Sequence, residues 1–318
     1  MAGRRAVRPR RAATLTTAPP DQRIVLPFLK WAGGKRWFCE NHLDLIPEYG
    51  GRYIEPFLGS AAVFFALRPE RALLTDLNAE LIVTYRAMRD TPQAVQELLA
   101  DFHERHDKDH YYATRAEKPA SPIELAAWFI YLNRTCWNGL YRVNLKNEFN
   151  VPIGTKTEVV LGTDDFQQLS TILAGAEIRQ SDFEQTLDLA GEDDFVFVDP
   201  PYTVKHNLNG FVKYNDRIFS WSDQLRLRDA VQRASERGAK VMVLNANHES
   251  VREIYANVGA QAALSRASVL AGNPAYRAKV EELMICSWLP GSHFNGHDGL
   301  PVGGNAEVAA GAGDNARE

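Results

Sequence analysis

Asp199-Pro200-Pro201-Tyr202 follows the apolar, β-branched run DFVFV (residues 194–198), so it stands at the carboxyl end of a buried strand. That edge of an open α/β sheet is where ligands bind. The two prolines stiffen the loop and remove two backbone N–H groups, which leaves carbonyl acceptors beside the Asp199 carboxylate. A ring, Tyr202, stands next to them. The set suits a planar group that bears an NH2: carboxylate and carbonyl each accept one N–H, and the ring stacks on the face. Two acceptors so placed localise the lone pair of an exocyclic amine, which is otherwise delocalised into its ring.

Upstream, EPFLGSAAVFF runs from Glu55 to Phe65. Gly59 falls at a strand-to-helix turn, where a backbone can approach a ligand closely. Ser60, Ala61 and Ala62 replace the later glycines of a dinucleotide fingerprint, so a smaller nucleoside is favoured over a pyrophosphate. About twenty residues on, Asp76 ends the strand RALLT, placed to accept from ribose hydroxyls. PFLKWAGGKRW sets Trp31 and Lys35 on either side of Gly33-Gly34. The lysine suits a carboxylate, the tryptophan a cationic or aromatic ligand.

The segment Tyr131–Gly154, YLNRTCWNGLYRVNLKNEFNVPIG, brackets Trp137, Asn138 and Tyr141 between Arg134 and Arg142. Asn138-Gly139 and Lys146-Asn147 are turn signals, so a hairpin or paired loops are expected. Arg134, Arg142, Lys146 and Lys156 against Glu148 leave a local charge of +3. Arginine pairs bidentately with guanine, asparagine with adenine, and an aromatic ring can wedge into a base stack. The plain reading is a polar loop with an aromatic anchor, both arginines being partners of carboxylates. His103, His106 and His110 share one helix face at i, i+3 and i+7, but the surrounding charges mark a solvated face and no metal is expected there.

These groups need a frame. RYIEPF, RALLT, DFVFV and KVMVLNAN read as strands, and AAVFFAL, AELIVTYRAM and WSDQLRLRDAVQRASERG as helices, the last with Ser222 as N-cap and Gly238 as its stop. Strands alternating with helices predict a parallel sheet covered on both faces. Residues 91 to about 190 break that rhythm and predict an inserted, mostly helical segment. The 318 residues give roughly two domains, hydrophobic residues at 45% exclude global disorder, and three cysteines exclude a disulfide framework. No run is long and apolar enough for a membrane helix. The net charge of −4 argues mildly against a polyanionic partner. Residues 1–23, whose first twenty carry five arginines and no acid, read as a disordered basic arm, and residues 291–318 as a disordered tail.

Taken together, FLKWAGGK, EPFLGS, NRTCWNGLYRVN with FNVPIG, DPPY and RASVLAGNPAYRAKVEELMI resemble, in that order, the Dam-type (D12 class) DNA adenine-N6 methyltransferases, from about Phe28 to Trp288. The resemblance implies a Rossmann-like, S-adenosyl-L-methionine-dependent methyltransferase fold with an inserted, mostly helical target-recognition domain. Residues 24–90 and 176–290 would form the catalytic domain and 91–175 the recognition domain. Trp31, Lys35, Glu55, Phe57, Gly59, Asp76, Asp182, Phe183 and Asp199 would hold the cofactor. Asp199, Pro200, Pro201 and Tyr202 would carry the catalysis on a flipped adenine. Arg134, Trp137, Asn138, Leu140, Arg142 and Pro152 match the family's DNA-contacting hairpin, in which relatives read GATC. Double-stranded DNA is then the partner, with a cognate restriction endonuclease in the restriction–modification case. A monomer or weak dimer in a bacterial or phage-infected cytoplasm is expected, with no metal. An RNA adenine-N6 or other exocyclic-amine methyltransferase, and a non-catalytic DNA-binding relative, are the alternatives.

Overall fold

A computed structural model of the chain describes residues 25–144, 146, 148–205, 219–267 and 279–288. The expected basic arm and the C-terminal tail lie outside the described residues. The strands are β1 (Tyr53–Glu55), β2 (Ala72–Asp76), β3 (Ala176–Gln180), β4 (Phe195–Val198), β5 (Lys240–Ala246), β6 (Ala260–Ala267) and β7 (Lys279–Cys286). They form a seven-stranded sheet in the order β3-β2-β1-β4-β5-β7-β6. This is a Rossmann-like α/β fold.

Two compact units divide the chain: one holds the residues up to Thr186 plus Glu192–Phe195, the other Leu187–Gly191 and the residues from Val196. In the first, β1 pairs with β2 and β2 with β3, all parallel, with Tyr53 opposite Ala72 and Ala72 opposite Ala176. Its helices are α1 (Arg36–Asn41), α2 (Ala62–Leu67), α3 (Ala79–Asp90), α4 (Pro92–Glu104), α5 (Lys108–Ala116), α6 (Pro122–Thr135) and α7 (Phe166–Leu173); the short α8 (Phe183–Leu187) runs to its boundary. Every residue of α6 from Leu125 to Thr135 is buried. A helix apolar on all sides belongs inside, and α6 packs against α3, α4 and α5. The helical segment from residue 91 therefore shares a core with the strands of this unit and does not separate as a compact body of its own.

In the second unit, α9 (Trp221–Glu236) packs on β5, and α10 (Glu249–Ile254) follows β5. The expected parallel pairing holds for β1, β2 and β3, whereas β7 runs antiparallel to both β5 and β6. Only a short connection separates β6 from β7, too short for the crossover that parallel pairing requires. The N-cap of α9 is Ser220 and not Ser222. Ser220 is three residues before Asp223, so its side chain accepts from the Asp223 N–H (3.2 Å) while Asp223 Oδ2 accepts from the Ser220 N–H (2.9 Å). Ser222 has Leu225 at that spacing and cannot form the reciprocal pair. Among the described residues no helix is long and apolar enough to cross a membrane.

Candidate active site and nucleic-acid interface

In the first unit two acids close two adjacent parallel strands: Glu55 ends β1 and Asp76 ends β2. Glu55 is 4% exposed and accepts from the Tyr53 hydroxyl at 2.9 Å. Asp76 accepts the N–H of Asn78 (2.9 Å) and of Gly59 (3.4 Å). Burial pushes its carboxyl up to about 6, against the opposing pull of those backbone N–H groups.

The turn between β1 and α2 makes room beside these acids. Gly59 has φ +47°, and a Cβ there would stand 2.9 Å from Trp31 Cδ1. Its carbonyl accepts from the Tyr85 hydroxyl at 3.1 Å. Ala61, two residues on, also holds a left-handed φ of 52°, which costs an L-residue about 1–2 kcal/mol. The turn is thus kept tight at some expense, as functional loops are. Trp31 lies in a stack with Phe129 (6.4 Å) and Tyr141 (5.9 Å) while its indole edge closes on Gly59. Buried Lys35 points its Nζ to the Gly33 carbonyl at 2.7 Å. Phe57 and Phe183 stack with centroids 5.4 Å apart, and Asp182, before Phe183, accepts the Glu184 N–H at 2.9 Å. Carboxylates for hydroxyls, flat rings for a base and a side-chain-free turn for close approach are the parts a nucleoside site needs, so the residues present fit a nucleoside-bearing cofactor.

In the second unit the loop Asp199–Tyr202 leaves the carboxyl end of β4, whose four residues are all buried. Pro200 is buried, while Asp199, Pro201 and Tyr202 are half-buried. The Tyr202 hydroxyl donates to Glu282 Oε2 at 2.5 Å.

The recognition segment forms paired loops in the first unit. Cys136 bridges Ile153, Val143 bridges Phe149, and Trp137 N–H donates to the Pro152 carbonyl at 2.9 Å. Trp137 is 51% exposed at the start of a 3-10 turn that Asn138 enters with φ 56°. Asn138, Arg142, Lys146, Pro152 and Lys156 are exposed and Leu140 is half-buried. Arg142 Nε donates to Asn150 Oδ1 at 3.0 Å.

Arg134, expected among the DNA contacts, is a correction. It is 2% exposed, and Asp164 takes it bidentately (2.6 and 2.8 Å). The Val159 carbonyl (2.7 Å) and the Phe28 carbonyl (3.0 and 3.3 Å) accept its other donors. All five N–H groups of a guanidinium are then used, and none faces a phosphate or a base. The signal that could have found this is the apolar run of α6: a helix without a polar face carries its last arginine inward. The three histidines each have a partner within the first unit. His106 Nδ1 meets the Tyr131 hydroxyl at 2.9 Å, His103 Nδ1 accepts from the Val159 N–H at 3.2 Å, and His110 packs on Phe102 and Tyr131. His103 is exposed and His106 and His110 are half-buried among exposed charged neighbours, so the face is solvated as expected, with His106 and His110 at its aromatic edge.

Two residues that sequence reasoning missed also matter, one in each unit. Asn133 accepts the Lys30 N–H (2.9 Å) and donates to the Lys30 (2.8 Å) and Gly139 (3.3 Å) carbonyls, so it fixes the Trp31 segment to the recognition turn. Glu282 is a charged residue inside the buried run of β7. Its neighbour Glu281 is also acidic, and the available signal was only that Glu282 adjoins the apolar run Leu283–Cys286.

The Rossmann-like fold with paired acids at its strand ends is consistent with a methyltransferase, and comparison with known proteins gives the class. The model of the D12 class N6 adenine-specific DNA methyltransferases matches residues 31–269. The chain is 37% identical over 238 residues to the Type II methyltransferase M1.LlaDCHI of Lactococcus lactis subsp. cremoris, covering 72% of this chain and 84% of that protein. It is 33% identical over 267 residues to the DNA adenine methylase of Haemophilus influenzae (81% and 92% covered) and 30% identical over 263 residues to that of Escherichia coli strain K12 (81% and 93%). The chain belongs to the D12 class of N6 adenine-specific DNA methyltransferases: it is an enzyme that methylates adenine in DNA.

Proposed function

We propose that the chain methylates N6 of an adenine flipped out of duplex DNA, with S-adenosyl-L-methionine as methyl donor. The observation that carries this reading is the Asp199–Tyr202 loop at the carboxyl end of β4, in a family whose members act on adenine. When bound, the cofactor supplies a methyl group on a positively charged sulfur. Asp76 would accept from its ribose hydroxyls, Phe57, Phe183 and Asp182 would hold its base, and Trp31, Lys35, Glu55 and Gly59 would line the remainder. Asp199 and the Pro200 carbonyl would accept the two N–H bonds of the adenine amine, drawing its lone pair out of the ring as positive charge grows on N6. Pro201 holds the loop rigid and Tyr202 would stack on the base. Residues 91–175 would read the target, with Trp137 entering the stack, Arg142 reading guanine, and Asn138, Leu140 and Pro152 along the groove.

GATC, implied by the resemblance, is the first sequence to test. A cognate restriction endonuclease is the proposed partner, from the type II name carried by one relative. A monomer or weak dimer in the cytoplasm suffices for this action. Methylome sequencing of DNA from a methyltransferase-free host that expresses the chain tests the reading directly. N6-methyladenine at one motif supports it. N4-methylcytosine, or no DNA methylation with a folded protein, overturns it.

Two expected results arise here. Arg142→Ala should cost about 1–3 kcal/mol of discrimination at one guanine, measured by competition between the site and its single-base variants. Uniform weakening on all sequences would make Arg142 a phosphate contact. The second concerns pH. The ionised carboxylate of Asp76 is the form that accepts two hydroxyls, and its carboxyl titrates at about 6. Protonation below that value removes the acceptor, so cofactor affinity should fall about tenfold from pH 7 to pH 5. Cofactor binding near pH 6 should release a proton, seen by calorimetry in buffers of different ionisation enthalpy. In Asp76→Asn both the slope and the proton release should vanish.

A further inference from the structure

Glu282 lies in the body of β7, 1% exposed, with Ala246 of β5 and Leu264 of β6 as its register partners. Leu283, Met284, Ile285 and Cys286 beyond it are buried and apolar. Burying a carboxyl at such a place is costly compared with an apolar side chain of similar size. Part of that cost is offset where Glu282 Oε2 receives the Tyr202 hydroxyl at 2.5 Å. The loop beyond Tyr202 is held by the same wall. Gln224 of α9 donates to the Thr203 carbonyl (3.2 Å) and receives the Asn245 amide of β5 (3.1 Å), while Thr203 Oγ1 donates to the Phe219 carbonyl (2.7 Å).

We propose that Glu282 is a positioning residue for methyl transfer: through the Tyr202 phenol it fixes the plane of the ring on which the target base comes to lie. The inference rests on the reading of Tyr202 given above as the stacking face. A ring tied at its backbone end and at its hydroxyl loses its rotational freedom on folding. The flipped-base complex then does not have to order it, and the amine meets its acceptors in a narrower range of angles.

A double-mutant cycle tests this with the full chain, a duplex bearing the methylated motif and saturating S-adenosyl-L-methionine. Tyr202→Phe keeps the ring and removes the tie; Glu282→Leu removes the tie from the other end. Each should lower the single-turnover rate about tenfold, with KM for DNA and cofactor affinity changed less than twofold. The double variant should lose no more than either single variant, and Glu282→Gln, which keeps an acceptor, should recover most of the rate. With 2-aminopurine at the target adenine, Tyr202→Phe and Glu282→Leu should share one altered emission lifetime, which a merely structural role would leave unchanged. A normal rate in Tyr202→Phe, or a multiplied loss of about a hundredfold in the double variant, overturns the proposal. If Glu282→Leu fails to fold, Tyr202→Phe and Glu282→Gln still decide it. Tyr202→Ala separates the two readings. A normal rate in Tyr202→Ala overturns the stacking role itself, whereas a loss there with a normal Tyr202→Phe overturns the role of Glu282 alone.

Discussion

Asp199→Ala is expected to lose about 10²–10³-fold in the single-turnover rate of methyl transfer while keeping most of its affinity for DNA. The magnitude is that of removing one preorganised group aimed at charge that develops in the transition state. The adenine amine is a poor nucleophile in the ground state and gains positive charge as it reacts. A carboxylate hydrogen-bonded to it therefore strengthens during the reaction and contributes to the rate, where an equally strong contact to both states would not. DNA affinity should persist because the exposed aromatic and basic side chains, Trp137, Arg142, Lys146 and Lys156, belong to a different compact unit from Asp199. Asp199→Asn discriminates further. It keeps one acceptor and adds a donor that faces the amine, so its rate should fall almost as far. Incorporation of labelled methyl groups into a defined duplex, beside a gel-shift titration, measures both quantities. Near-normal turnover in Asp199→Ala would remove Asp199 from the role given to it here.

Legibility differed between elements for physical reasons. Strands β1, β2, β4 and β5 were readable because each is a short apolar run bounded by turn residues. Asp76 and Asp199 were readable because each follows such a run, and the end of a parallel strand is fixed by the run itself. The α9 cap was misplaced by two residues because two serines precede the helix, and the choice lies in which has an acid three residues on. The antiparallel β7 was hidden by the alternation of strand and helix earlier in the chain. Arg134 and Arg142 look alike in sequence, each basic and within three residues of an aromatic. What separates them is partner geometry: Asp164 lies 30 residues beyond Arg134, a spacing with no local signature. The same holds for Tyr202 and Glu282, 80 residues apart. Net charge misled for a related reason. It sums over a surface on which Arg142, Lys146 and Lys156 are exposed together, and it bears on solubility and steering and not on where one strip of cations lies.

The Arg134 correction carries the largest expected effect on stability. Arg134→Ala should destabilise the protein by about 3–5 kcal/mol, the range for removing one partner of a buried ion pair. The loss has three parts. Asp164 is left in a buried place with its carboxylate deprived of both bidentate donors, although the Leu161 N–H still reaches Oδ2 at 2.8 Å. The Val159 and Phe28 carbonyls lose their donors within the core. The guanidinium also leaves the Phe166 ring, whose centroid is 5.8 Å from Cζ. Arg134→Lys should recover little, because one ammonium with three donors cannot satisfy the four acceptor atoms that a planar fork meets at once. Arg134→Met with Asp164→Leu should cost less than Arg134→Ala alone, since no charge is then left uncompensated. Thermal unfolding should show the single variant lower by roughly 10 °C, at the 2–4 °C per kcal/mol usual for a chain of this size. DNA affinity of the protein that remains folded should keep its salt dependence. A DNA-contacting arginine would instead leave the melting temperature in place and lower the salt slope by about one, and that pattern would return Arg134 to the interface.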